Sequence, residues 1–226
     1  MHRFPLHSAM DKTFDIIRLP GYVPYADALR LQYERRAAVE AGQALNAIFL
    51  LEHAPVITLG RSAHAENLLL TREELLRRGI AVHDTDRGGD VTYHGPGQMV
   101  AYPILNLTIW NLAIRPYLRS LEDVLIRQLT RYGLDAGRME GLTGVWVNGA
   151  KVAAIGIGVH HTVTFHGVAL NVNPDMEHFR YIVPCGIGDK PVESLASLLP
   201  ATPSMDQAMD DFVDAFEDVF QARARR

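Results

Sequence analysis

Thr143-Gly144-Val145-Trp146-Val147-Asn148-Gly149-Ala150-Lys151-Val152-Ala153-Ala154-Ile155 is a pair of apolar runs joined by an Asn-Gly dipeptide. A type I′ turn needs positive φ at both central positions, and Asn148-Gly149 is the pair best able to adopt it, so the stretch reads as a β-hairpin with antiparallel strands. Lys151 then opens the returning strand. Taken by position alone, it is a hairpin-edge lysine pointing into water. Downstream, Thr162 to Val172 reads as a further strand, interrupted at Gly167 where a bulge or a close ligand fits. His160 and His161 are adjacent, so on a strand they face opposite ways, and a joint metal site is not expected.

Outward from the hairpin the elements alternate in type. Phe14 to Leu19 reads as a short strand, and Pro24 opens a helix on which Ala26, Leu29, Tyr33 and Ala37 recur at helical spacing up to Gly42, with an arginine-rich outer face. Asn46 to Glu52 and Pro55 to Leu59 read as buried strands, with His53-Ala54 at the bend between them. Thr71-Arg72-Glu73-Glu74 is a capping-box arrangement, and Gly79 stops the helix it starts. Ile80 to His83, the short strand inside Arg87 to Gln98, and Met99 to Leu107 continue the strand pattern. A helix from Arg115 or Pro116 carries Leu118, Leu121, Val124, Leu125, Ile126 and Leu129 to about Gly133. A second capping box, Ser204 to Gln207, opens a helix burying Ala208, Met209, Phe212, Val213, Phe216 and Phe220.

The chain has 226 residues, 48% of them hydrophobic and 21% charged, which suffices for one sizeable core. No internal repeat or linker interrupts it. Residues 1–12 are expected to be a loose leader without the apolar core of a secretory signal, and 13–226 a single catalytic domain. A net charge of −4 argues against a nucleic-acid-coating role. One cysteine cannot form an intramolecular disulfide and no run of about 18 apolar residues is present, so a soluble, reducing, cytoplasmic setting is expected, with no membrane partner.

That cysteine sits in Phe179-Arg180-Tyr181-Ile182-Val183-Pro184-Cys185-Gly186-Ile187. Pro184 stiffens one side of the bend and Gly186 frees the other, which suits a thiol held at a turn, although a lone Cys also serves as a small buried hydrophobe. To act as a nucleophile it must become a thiolate, and an ordinary thiol near pKa 8.5 needs a nearby cation for that. Lys151, His94 and His166 are the candidates. An ammonium beside Cys185 would favour the thiolate, while desolvation would lower the lysine's own pKa. His53, at a strand end, is either a structural histidine or part of a binding pocket. Arg87-Gly88-Gly89 and Gly95-Pro96-Gly97 flank Thr92, Tyr93 and His94, and such glycine pairs let backbone approach a ligand. No Gly-Lys-Ser/Thr follows them, so this is not a phosphate-cradling loop. No His, Cys and carboxylate set has metal-ligand spacing, and no cofactor is expected.

Four ordered blocks go further: Arg87 to Gln98 (Arg-Gly-Gly-Asp-Val-Thr-Tyr-His-Gly-Pro-Gly-Gln), Lys151-Val152-Ala153-Ala154-Ile155-Gly156, Phe165-His166-Gly167-Val168-Ala169-Leu170-Asn171-Val172, and Pro184-Cys185-Gly186-Ile187. In this order they resemble the lipoyl(octanoyl) transferase family. The resemblance implies an α+β fold, a mixed, largely antiparallel sheet flanked by helices, similar to the catalytic domain of biotin and lipoate protein ligases. It implies passage of an octanoyl group from acyl carrier protein to Cys185 as a thioester, then to a lysine on the lipoyl domains of 2-oxoacid dehydrogenase E2 subunits and on the glycine cleavage H protein. Lys151 would lower the thiol's pKa and relay protons. Arg87, Gly88, Gly89, Asp90, Val91, Thr92, Tyr93, His94, Ala154, Ile155, Gly156, Gly167, Val168 and Ala169 would line the acyl pocket, with His53 and His166 nearby. Backbone N–H groups near Cys185 or the Gly88-Gly89 turn are candidates for binding an oxyanion.

Overall fold

The Asn-Gly turn forms as its chemistry requires, with φ of 51° at Asn148 and 80° at Gly149. The structure is a computed structural model and describes residues 12–183 and 190–225. In chain order its strands are β1 (Thr13–Val23), β2 (Asn46–His53), β3 (Val56–Leu59), β4 (Ala81–Asp84), β5 (Val91–His94), β6 (Gln98–Ile104), β7 (Ala136–Met139), β8 (Leu142–Val147), β9 (Ala150–His160), β10 (Val163–Asn171) and β11 (Arg223–Arg225). The helices are α1 (Tyr25–Glu40), α2 (Arg72–Arg77), α3 (Ile114–Arg131), α4 (Leu195–Leu198) and α5 (Met205–Phe220). Cys185 and the expected leader up to residue 11 lie outside the described residues.

Eight strands form one sheet in the order β11-β1-β2-β6-β10-β9-β8-β7, and β4-β3-β5 form a smaller one. The pairs β1–β2 and β1–β11 are parallel and every other pair of the large sheet is antiparallel, which is the mixed, largely antiparallel arrangement expected. Strand alternation divides the core in two. Ile48, Leu50, Met99 and Ala101 face α3 and α5, while Phe49, Leu51, Val100 and Tyr102 face α1. The small sheet keeps its own core of Ile57, Leu75, Ile80, Val91 and Tyr93 against α2. Burial of these side chains, each worth roughly 1.5–3 kcal/mol, fixes the register of the central strands.

Several local readings change in the folded chain. On α1 the buried residues are Tyr25, Ala28, Gln32 and Val39, whereas Ala26 and Ala37 are exposed. The helix has no strong apolar stripe; its inward face is partly polar because it serves the site described below. Thr71 and Glu74 complete their capping box. At Ser204 only half of one forms: Gln207 N–H donates to Ser204 Oγ, and the Gln207 side chain donates instead to Asp211. The short strands β7 (Ala-Gly-Arg-Met) and β11 (Arg-Ala-Arg) had no periodic signal to announce them. His160 and His161 do not face opposite ways either. His161 takes a left-handed φ of 49° in the turn after β9, which brings the two rings to 4.2 Å between centroids. Among the described residues no helix is long and apolar enough to cross a membrane.

Candidate active site

Loop 87–90 and β5 face β9 and β10 across a narrow cavity. Arg87, Gly89, Asp90, Thr92, His94, Ala154, Ile155, Gly156, His166, Gly167, Val168 and Ala169 line it, joined by Tyr25 and Tyr102. Of the residues expected there, Gly88 lines the adjoining groove instead. Val91 and Tyr93 are turned away: alternation along β5 sends Thr92 and His94 to the cavity and Val91 and Tyr93 into the core of the small sheet. There the Tyr93 hydroxyl bonds His178 Nδ1 at 2.7 Å. The Gly95-Pro96-Gly97 turn is absent from the cavity wall as well. A Cβ at Gly97 would sit 2.1 Å from Asn173 O, so that glycine permits a backbone crossing rather than a ligand.

The same distinction explains the glycines that do line the cavity. A Cβ at Gly167 would lie 2.2 Å from Ala101 O, so β10 crosses β6 too closely for any side chain. At Gly156 it would meet Arg87 Cδ and Gly88 O, each at 3.0 Å, because loop 87–89 lies flat on β9. Gly88 N–H donates to Ile157 O at 2.8 Å, which commits that donor and removes it as an oxyanion contact. The irregularity expected at Gly167 falls one residue earlier. His166 has φ 55°, and its N–H leaves the ladder for Gln32 Oε1 at 2.7 Å.

Polar side chains at the inner end of the cavity are tied to one another. Arg87 donates to Thr58 O at 2.6 Å and to Thr58 Oγ1 from Nε and a terminal nitrogen. Thr58 Oγ1 stands 3.5 Å from His94 Nε2, and His94 Nδ1–H donates to Gln98 Oε1 at 2.7 Å. The Gln98 amide donates to Asn171 Oδ1 at 2.9 Å, and Asn171 Nδ2 donates to Glu193 O at 3.1 Å. Burial pushes the His94 imidazole down to about 3 and that of His53 to about 4. His53 does not line the cavity. Its Nδ1–H donates to Val23 O at 2.8 Å and its Nε2 accepts from the Tyr102 hydroxyl at 2.7 Å, so it braces a wall residue from behind. His166 Nε2–H donates to Asp86 Oδ1 at 2.8 Å. Burial lowers His166 more than Asp86 lifts it, and that hydrogen bond holds the Asp86 carboxyl below its ordinary value.

The cavity meets a wider groove at Gly89, Asp90, Ile155 and Gly156, and Lys151 lines that groove. Lys151 is 7% exposed, not the solvent-facing edge residue its position suggested. Its Nζ stands 5.2 Å from the Trp146 ring centroid, and its side chain crosses Gly144, where a Cβ would come within 2.8 Å of Lys151 Cε. Gly144, at φ 121°, donates its N–H to buried Glu122 on α3, which also takes Arg119 and Arg138. Helix α3 thereby fixes the backbone on which the lysine lies.

Both ends of the undescribed segment 184–189 return to this groove. Val183 N–H donates to Asn67 O at 2.9 Å, and Asn67 lines the groove and donates to the Asp90 carboxylate. On the far side Lys151 N–H donates to Pro191 O, and Glu193 N–H to Lys151 O. Tyr25, Thr58, Asn67, Tyr102, Glu122 and Gly144 escaped the sequence reading. Each acts through a contact distant in sequence, except that Tyr25 directly after a helix-starting proline carried a local signal.

The model of the lipoyl protein ligase A/B catalytic domain matches residues 24–217. An octanoyltransferase of Solibacter usitatus is 48% identical over 204 residues, covering 90% of this chain and 92% of its own. Among solved structures, a lipoate-protein ligase A bound with ATP superposes with a TM-score of 0.74 at 16% identity, covering 96% of this chain and 88% of that one. A biotin protein ligase from Aquifex aeolicus gives 0.53 at 12% identity, covering 92% and 70%. At such identities these two likenesses concern the fold alone. By its sequence match over nine-tenths of its length, the chain belongs to the octanoyltransferases of the lipoyl protein ligase A/B catalytic-domain family.

Proposed function

We propose that the chain moves an octanoyl group from acyl carrier protein to the ε-amine of a lysine on lipoyl domains, through a thioester on Cys185. The acceptors would be the lipoyl domains of 2-oxoacid dehydrogenase E2 subunits and the glycine cleavage H protein. Octanoyl transfer itself is the activity of its relatives. In the first step the Cys185 thiolate attacks the carrier thioester, the old C–S bond breaks, and the departing carrier thiolate takes up a proton. In the second the acceptor amine attacks, an amide forms, and Cys185 leaves as the thiolate while the amine's proton is passed on. Thioester exchange is nearly balanced and amide formation runs downhill, so the sequence needs no external energy.

The observation that carries this reading is the burial of Lys151 in a groove to which the chain returns on both sides of Cys185. Val183 N–H is held by Asn67, a wall residue of that groove, and Lys151 N–H by Pro191 O, so the described chain on either side of Cys185 ends beside the lysine's groove. An ammonium there favours the thiolate. Arg87, Gly89, Asp90, Thr92, His94, Ala154 to Gly156 and Gly167 to Ala169 would hold the acyl chain, where each buried methylene contributes about 0.8 kcal/mol. The single thiol fits a reducing cytoplasm.

Intact-mass analysis after mixing with octanoyl carrier protein tests the covalent step. One octanoyl increment on the wild-type chain, its absence in Cys185→Ser, and its discharge onto a lipoyl domain are expected. A Cys185→Ser variant that transfers at the wild-type rate, as an ATP-dependent ligase of this fold would, overturns the thioester route.

A further inference from the structure

At the tip of the β9–β10 hairpin, away from the cavity, three donors converge. His160 Nδ1 lies 2.8 Å from Glu40 Oε1, His161 Nδ1 lies 3.8 Å from Glu40 Oε2, and one ligand atom from each residue falls within 4.8 Å of the others. Neighbouring strand residues ordinarily point apart. Here the left-handed φ of 49° at His161 swings its ring beside that of His160. Glu40 closes the set as the last residue of α1.

We propose that Glu40, His160 and His161 form a surface site for one divalent transition-metal ion of the zinc class. A tetrahedral ion with bonds of about 2.0–2.1 Å needs donors roughly 3.3 Å apart. The present separations bracket that value, so small side-chain rotations would admit the ion in place of the Glu40–His160 hydrogen bond. Two imidazoles with one carboxylate select zinc, copper or nickel over magnesium and calcium, which take oxygen ligands. Water would fill the remaining position, because both imidazoles face solvent. The Arg36 guanidinium, stacked on Tyr33 and Phe165, approaches Glu40 at 3.6 Å and repels a cation, which sets a limit on affinity.

The position gives the ion a mechanical consequence. Helix α1 supplies Tyr25 to the cavity wall and Gln32 to the His166 backbone, and the β9–β10 hairpin supplies Ala154 to Gly156 and Gly167 to Ala169. An ion on Glu40, His160 and His161 would join the far ends of these two elements. It would thus stabilise the packing that forms the wall without touching the reacting groups.

The test uses the full, untagged, metal-stripped chain. Calorimetric titration with Zn²⁺ should give a site of one ion per chain and raise Tm. His161→Asn keeps a residue that tolerates left-handed φ but removes the imidazole. It should weaken that binding at least tenfold and abolish the rise in Tm, while melting in chelator and octanoyl transfer in chelator stay at wild-type levels. Equal zinc affinity in wild type and His161→Asn overturns the proposal. So does zinc binding abolished by alkylating Cys185 yet untouched by His161→Asn, which would assign the ion to the thiol.

Discussion

At the inner end of the cavity the ionisable rings are buried, neutral and fastened, whereas the groove beside it holds a buried lysine whose backbone anchors the chain that follows Cys185. His94 is linked through Thr58 to Arg87 and through Gln98 and Asn171 to Glu193; His53 is clamped between Val23 and Tyr102. Such a network resists motion and proton uptake alike, which suits a wall. On the proposed mechanism Lys151 would supply a cation beside the Cys185 thiolate. The two regions are continuous: Asn171 grips Glu193 O, and Glu193 N–H in turn bonds Lys151 O. The wall therefore also positions the strand on which the lysine sits. On the proposed mechanism, holding and reacting would be divided between neighbouring regions joined by one chain of hydrogen bonds.

Removing the reacting half should have the largest effect. Lys151→Ala is expected to slow acylation of Cys185 by roughly 10²–10⁴-fold, the usual worth of a positioned proton-transfer group. The fold should survive, since the β8–β9 hairpin depends on its turn and backbone pairing. Rates of thiol alkylation against pH provide the check. A profile identical to wild type would remove Lys151 from thiol activation and erase the contrast between groove and wall.

Damage to the wall should be smaller and should appear first as lost stability. Gly167→Ala places a Cβ 2.2 Å from the Ala101 carbonyl oxygen, a backbone atom that cannot swing aside. Overpacking of this kind costs about 1–3 kcal/mol. Gly137→Ala, on β7, meets nothing within 4 Å and should leave the urea midpoint nearly unchanged. If the two variants unfold alike, close approach of β6 and β10 is not what the glycine serves.

Much of this was legible in local pattern. The Asn148-Gly149 turn, the Thr71 capping box and the apolar face of α5 are each encoded within a few residues, and each formed. The burial of Lys151 was not encoded there. Hairpin position argues for exposure, and among the described residues Gly144, Trp146 and the segment Pro191 to Glu193 lie against it. Helix α1 was misread for a related reason: an apolar-periodicity rule does not anticipate an inward face built from Tyr25 and Gln32 to serve a strand more than a hundred residues away. The loop and strands of the ordered blocks come together around one cavity. Alternation along β5 then separates Thr92 and His94, which line it, from Val91 and Tyr93, which do not.

The mildest way to probe the wall is to titrate the histidine that braces it from behind. An unfolded chain protonates His53 near its ordinary value of 6.5, while the folded chain resists until about 4. Between those values the unfolded state binds more protons, so this contribution is fully present above pH 6.5 and is lost as pH falls toward 4. The slope for one such histidine approaches about 1.4 kcal/mol per pH unit. His53→Gln should lower stability at pH 7, because it disturbs the bonds to Val23 and Tyr102, yet lose less than wild type on going from pH 6.5 to 4.5. Urea unfolding at a series of pH values measures both quantities. Parallel stability curves for the two proteins would mean that His53, behind the wall, is not held neutral.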